Sequence, residues 1–185
     1  MALTKTPVCD FGKKAEDFKL KSIENKIISL NDVKGEKATL IMFICNHCPY
    51  VKAIIRDLAN DCNELKKDGI NSVAIMSNDT KNYPEDSFKN MIKFAKTNNF
   101  GEINYLIDET QEIARKYGAV CTPDFFGYNK ELKLQYRGRF RELKDLKPVS
   151  GGDSDLKIAM KMISETQAGP KEQIPSMGCN IKWFN

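Results

Sequence analysis

Apolar positions along the chain follow two rhythms, and the alternation between them outlines the elements. Thr39–Ile44 and Ile70–Met76 are largely apolar runs of strand length, and Ile103–Ile107 is a third. Between the first two, Val51, Ile54, Ile55, Leu58, Cys62 and Leu65 recur at helical offsets, and Asp68-Gly69 supplies a stop. Pro84-Glu85-Asp86 opens another helix, with Phe88, Met91, Ile92 and Ala95 on one face. Asp108 reads as the N-cap of a short helix that runs through Tyr117 and ends at Gly118.

Shorter patterns complete the outline. Asp17-Phe18-Lys19-Leu20 and Ile27-Ile28-Ser29-Leu30 lie either side of a polar Glu24-Asn25 turn and predict a hairpin. Phe125-Phe126-Gly127-Tyr128 and Leu132–Tyr136 flank Asn129-Lys130 as a second hairpin. A last helix starts near Asp153 or Ser154, carries Leu156, Ala159, Met160 and Ile163 on one face, and ends at Gly169-Pro170. Residues 1–16 form a polar arm, with Phe11 tucked onto the body, and residues 169–185 form a tail. Strands alternating with helices, then a hairpin and a helix, predict one α/β domain over residues 1–185, with a mixed central sheet flanked by helices.

Composition narrows the function. A chain of 185 residues with 41% hydrophobic and 29% charged residues can bury one real core. The net charge of +4 is mild and its lysines are scattered, so neither a nucleic-acid tract nor a polybasic membrane patch is expected. No apolar run reaches membrane-spanning length, and Met1-Ala2-Leu3-Thr4-Lys5-Thr6-Pro7 lacks the apolar core of a signal peptide. The expected compartment is the cytoplasm, where cysteines are more often catalytic or metal-binding than bridged.

Of the six cysteines, at 9, 45, 48, 62, 121 and 179, two form a C-x-x-C at the end of the first buried strand. Cys45-Asn46-His47-Cys48-Pro49 places both thiols at a strand-to-helix turn, with the first at the helix N-terminus. Unpaired backbone N–H groups and the helix dipole favour a thiolate there. Thiols three residues apart can close a disulfide: one thiolate attacks an outside disulfide and the other resolves the adduct. His47, the only histidine, sits between them. As an imidazolium it would stabilise the Cys45 thiolate, and as imidazole it could shuttle a proton. Cys45, His47 and Cys48 are also soft ligands for Cu(I) or Zn, although no second pair in the sequence completes a tetrahedral set. Pro123 is either an ordinary strand-entry proline or a cis one. Cys121 is either a buried small hydrophobe, the reading its own surroundings favour, or a third redox thiol, and Cys9 and Cys62 read as structural, Cys62 because it falls on the buried helix face. Cys179, in an exposed-looking tail, is either a resolving thiol brought back over the site or idle. Arg137, Arg139 and Arg141 alternate on what would be one solvated strand edge.

Three segments resemble the thioredoxin-fold redoxins, in particular their peroxiredoxin-like branch. They are Cys45-Asn46-His47-Cys48-Pro49-Tyr50-Val51-Lys52, Cys121-Thr122-Pro123-Asp124-Phe125-Phe126, and the tail Pro175-Ser176-Met177-Gly178-Cys179-Asn180-Ile181-Lys182-Trp183; Tyr83-Pro84-Glu85-Asp86-Ser87-Phe88 adds to the likeness. The resemblance implies a thioredoxin fold with an N-terminal hairpin extension. It implies Cys45 as the exposed attacking thiol and Cys48 as its partner. It further implies Pro123 as a cis-proline facing the disulfide, Thr122 offering its backbone to a bound peptide or thiol, and Cys121 near the site. The chain departs from thioredoxins at Ile44, where they carry tryptophan, and at Thr39, where they carry a buried acid. A peroxidatic cysteine would align with Cys48, but Ile41 and Cys45 stand where peroxiredoxins carry a proline and a threonine or serine. The expectation is a thiol–disulfide oxidoreductase without a cofactor, acting on a protein or small-molecule disulfide and recharged by a thiol. A peroxide reductase using Cys48, with Cys45, Cys121 or Cys179 resolving, and a Cu(I) or Zn module are the alternatives.

Overall fold

The computed structural model of the protein describes residues 3–7 and 10–184. Cys9, expected to be structural, lies outside the described residues. The strands are β1 (Leu3–Lys5), β2 (Lys19–Ser22), β3 (Ile27–Ser29), β4 (Ala38–Phe43), β5 (Ile70–Met76), β6 (Asn104–Ile107), β7 (Cys121–Thr122), β8 (Asp124–Asn129), β9 (Leu134–Tyr136), β10 (Leu143–Lys144), β11 (Lys147–Pro148) and β12 (Met177–Asn180). The helices are α1 (Leu30–Val33), α2 (Pro49–Lys67), α3 (Phe88–Thr97), α4 (Glu112–Tyr117) and α5 (Asp155–Thr166). A seven-stranded sheet runs in the order β3-β2-β6-β5-β4-β8-β9. Its centre, β4-β5-β6, is parallel, and β8 pairs antiparallel with β4.

The unbroken apolar runs of β4 and β5 follow from burial on both faces. Successive side chains of β4 point to opposite faces: Leu40 and Met42 join the core beneath α2 and α5, while Ile41 and Phe43 join a second core with Phe18, Ile113 and Tyr117. The buried face of α2 carries all six residues that its periodicity marked. Thr39, fully buried, accepts the Gly35 N–H through its hydroxyl at 3.0 Å.

The structure departs from the sequence reading where a remote partner decides. The polar arm contributes a strand: β1 pairs with β12, and β12 pairs with β7, in a separate three-stranded sheet. Phe11 is exposed rather than tucked in. The Pro84–Asp86 turn is a short 3-10 helix, and α3 starts afresh at Phe88 because Ser87 is extended, with ψ 153°. Ile92 is exposed. Gln111, not Asp108, precedes α4; the Asp108 carboxylate instead accepts the Ala114 N–H at 2.9 Å. Ser154 caps α5 as expected, but the helix ends at Gln167, whose φ is +64°. The arginines do not share a strand edge, because β9 stops at Tyr136. Arg137 turns inward to the buried Asp124 at 3.0 Å. The tail is not exposed around Cys179, which is 4% accessible. Among the described residues, no helix is long and apolar enough to cross a membrane.

Candidate functional site

Strand β4 ends at Phe43 and delivers Cys45 into the short link to α2. Pro49 sets the first helical position, and Cys48, with φ −62° and ψ 124°, is the N-cap. Cys48, rather than Cys45, therefore faces the open end of the helix. Both thiols are buried: Cys45 is 1% and Cys48 0% accessible, so the exposed thiol expected at Cys45 is not found. The cover comes from two sides.

The first is the β7–β8 corner, where the Thr122–Pro123 peptide bond is cis. The Thr122 hydroxyl lies 3.3 Å from Cys45 Sγ, and the Thr122 carbonyl oxygen lies 3.1 Å from Cys48 Sγ. The second is β12. Its Cys179 stands opposite Thr122 in the antiparallel register, so the Thr122 backbone expected to receive a substrate is paired with the chain's own tail. Cys179 Sγ is 3.0 Å from Cys48 Sγ. Cys121 points at the Pro123 carbonyl, 3.5 Å away, and burial pushes its thiol up. Cys62 is also pushed up by burial, to about 12, and packs on the buried face of α2.

Cys48 has one proton at most and cannot donate to both Thr122 and Cys179. The carbonyl opposes a thiolate, whereas the Cys45 thiol, the Cys179 thiol and the Val51 N–H all donate to one. The donors prevail over burial, and Cys48 falls to about 5. Cys45 moves well above the usual thiol range, because its proton is held by Cys48 and because burial and the Asp86 charge disfavour a second anion. The pair therefore shares one proton, with the negative charge at the helix N-terminus. Burial, with the Cys48 charge beside it, pushes Cys179 up to about 12.

His47 is oriented by a residue that sequence reasoning had given no chemistry. Asp86, fully buried, lies 2.7 Å from His47 Nδ1. Its carboxylate also accepts the Asn46 N–H at 2.8 Å and the Asn78 side-chain amide at 2.8 Å. The Asp86 hydrogen bond raises the His47 pKa against the effect of burial. The ring stacks on Tyr83 at 5.7 Å. A lone histidine between two cysteines needs a counter-ion, and that was the available signal; only the fold could choose Asp86. Among the described residues, Cys45, His47 and Asp86 offer ligand atoms within 4.8 Å of one another. Asp86 is already satisfied on both oxygens, so its arrangement is that of a group that orients imidazole.

One consequence is a titration. As pH rises through about 5, one equivalent of thiolate should appear in the ultraviolet spectrum of the reduced protein. An ordinary cysteine would titrate near about 8.5. The early step should be missing in Cys48→Ser; a first thiolate only in the ordinary range would remove the charge from Cys48.

A parallel-centred sheet, a cis-proline corner and a C-x-x-C at a helix N-terminus define a thioredoxin-fold redoxin. The chain belongs to the AhpC/TSA family, whose model matches residues 11–139. It is 39% identical to an uncharacterized conserved protein from Geobacillus kaustophilus, with a TM-score of 0.94 over 100% of this chain and 97% of that one. The thioredoxin domain of a thiol-disulfide oxidoreductase from Bacteroides vulgatus shares the fold at 18% identity and a TM-score of 0.59, covering 70% of this chain and 89% of that one. Peroxidoxin BcpB from Mycobacterium tuberculosis does so at 16% identity and 0.55, covering 67% and 81%. No curated protein matches the sequence significantly. The family points to oxidoreductase chemistry of the thiol–disulfide or peroxiredoxin kind.

Proposed function

We propose that the protein is a thiol–disulfide oxidoreductase that cycles Cys45 and Cys48 between dithiol and disulfide. The observation that carries this reading is the placement of both sulfurs at the N-terminus of α2 against the cis-proline corner, with the Thr122 hydroxyl 3.3 Å from Cys45 Sγ and the Thr122 carbonyl oxygen 3.1 Å from Cys48 Sγ. The Cys48 thiolate attacks one sulfur of a substrate disulfide, whose S–S bond breaks and whose other sulfur leaves as a thiolate that takes up a proton. Cys45 gives up its proton and attacks the Cys48 sulfur. The second substrate thiol leaves, and the Cys45–Cys48 bond remains; the substrate has gained two electrons. His47, held by Asp86, lies within 4.8 Å of Cys45, a distance that one water can bridge to carry that proton.

A cavity of about 450 Å³ opens beside Pro123, with Tyr50, Ile54, Phe140 and Met177 on its wall and Arg139 and Arg141 at its side. Its apolar wall suits a protein or small-molecule disulfide with apolar groups beside the sulfurs. A thiol reductant returns the pair to the dithiol, in a reducing compartment such as the cytoplasm. The low value of Cys48 also favours a second reading, a peroxide reductase with Cys48 as the attacked thiolate.

The test runs two assays on one preparation: turnover of a fluorescent peptide disulfide with reduced glutathione as reductant, and stopped-flow consumption of hydrogen peroxide. Exchange above the buffer rate with peroxide loss at the buffer rate is expected. Peroxide consumption without exchange would replace the first reading with the second.

A further inference from the structure

Tail strand β12 is built against the site from both sides. The Lys182 N–H donates to the Asn78 side chain at 2.9 Å, and the Lys182 carbonyl accepts from the Asp79 N–H and the Gln111 side-chain amide, each at 2.8 Å. On the other flank, the Ser176 hydroxyl donates to the Pro123 carbonyl at 2.8 Å, and β1 pairs along the outer edge. Asn78 also holds Asp86, so the anchor of the tail and the orienting group of His47 share a side chain. Between the anchors, Gly178 allows the close approach: a Cβ there would lie 2.1 Å from the Thr122 carbonyl oxygen. The residue so delivered is Cys179, with its sulfur 3.0 Å from that of Cys48.

We infer that Cys179 is a third exchanging thiol, which takes over the disulfide from Cys45 and ties the tail to helix α2. The inference rests on the Cys45–Cys48 chemistry proposed above. Once that bond exists, Cys179 attacks the Cys48 sulfur. The Cys48–Cys179 bond forms, the Cys45–Cys48 bond breaks, and the electron pair leaves on Cys45, which takes the proton given up by Cys179. The step is redox-neutral and needs no further oxidant. Oxidation of the pair also removes the Cys48 charge that helps to hold the proton on Cys179. The substrate disulfide can reach the buried sulfurs only when β12 moves aside, so the new bond latches the site shut until a thiol reopens it. Cys45 is left reduced beneath the latch.

The experiment equilibrates wild type, Cys45→Ser and Cys179→Ser in buffers of reduced and oxidised glutathione. The samples are then acid-quenched and alkylated, and the bridged peptides are mapped by mass spectrometry. In wild type and in Cys45→Ser, a Cys48–Cys179 peptide is expected, its ratio to free Cys179 changing about tenfold for each ~30 mV of redox poise. Cys179 that stays alkylatable at every poise in both proteins would overturn the latch. Wild type serves as its own folded control, so a poorly folding variant does not decide the matter. Cys179→Ser reads the underlying chemistry separately. A reversible Cys45–Cys48 bridge there supports the exchange reading whatever Cys179 does; its absence counts against that reading and against the hand-over from Cys45, while a Cys48–Cys179 bridge in wild type would still show the latch.

Discussion

Cys48→Ser is expected to reduce disulfide exchange to the uncatalysed rate and to leave no glutathione adduct within the C-x-x-C. The reason is chemical rather than a matter of thiolate abundance. At neutral pH, a value of about 5 raises the thiolate fraction about thirtyfold over an ordinary thiol. Nucleophilicity falls with basicity by a Brønsted factor near 0.4–0.5, which costs about the same factor. Attack is therefore little faster than that of a free cysteine. The gain lies in Cys48 as a leaving group and in the position of its sulfur, which touches Cys45, Cys179 and the Thr122 corner together. Serine removes all of these at once. Cys45→Ser should behave differently, because Cys179 remains to resolve an adduct. Only Cys45→Ser combined with Cys179→Ser should accumulate glutathione on Cys48, read as one adduct by intact mass and placed by peptide mapping. Full turnover in Cys48→Ser, or an adduct on another cysteine in the double variant, would dismiss Cys48 as the attacking sulfur.

The legible parts of this site were those written locally. The strand into Cys45, Pro49 at the first turn of α2 and the apolar face from Val51 to Leu65 each depend on neighbours a few residues away, and all appear as read. The cis Thr122–Pro123 bond came from likeness to known redoxins; the chain pattern left both isomers open. What was misread depends on distant partners. Polar residues in the arm and tail look solvated singly, but β1, β12 and β7 satisfy one another's backbone across the length of the chain. Arg137 looked like an edge cation because the sequence hides that Asp124 waits inside. Cys48 rather than Cys45 holds the cap position because Pro49 fixes the start of the helix, a cue written in the sequence itself. Asp86 was visible only as a helix-opening acid; its closeness to His47 is a property of packing.

Arg137→Ala is expected to cost about 3–5 kcal/mol of unfolding free energy near neutral pH, the scale for removing one partner of a buried ion pair. Asp124 is 0% and Arg137 7% accessible. The guanidinium donates to both Asp124 oxygens, at 3.3 and 3.0 Å, and to the Gly118 carbonyl at 2.8 Å, and lies over the Phe126 ring. Burial raises the Asp124 pKa even against the pull of Arg137, and without the arginine it should rise further. A carboxyl with a raised folded-state pKa contributes most below its unfolded value, and that contribution is lost as pH rises through the folded value. The deficit of Arg137→Ala should therefore be largest at neutral pH and shrink as the pH falls towards about 4. Denaturant unfolding at both pH values checks this. A deficit that does not change with pH would mean that lost packing on Phe126, rather than an uncompensated charge, is the cause. The site should feel the change as well. Asp124 opens β8 immediately after Pro123, pairs across the sheet with Phe43 at the end of β4, and accepts the Val120 N–H at 3.2 Å. The pair thus pins both chain segments that meet at the thiols. Adding Asp124→Asn to Arg137→Ala removes the stranded charge, so the double variant should recover part of the lost stability at neutral pH and little at acid pH.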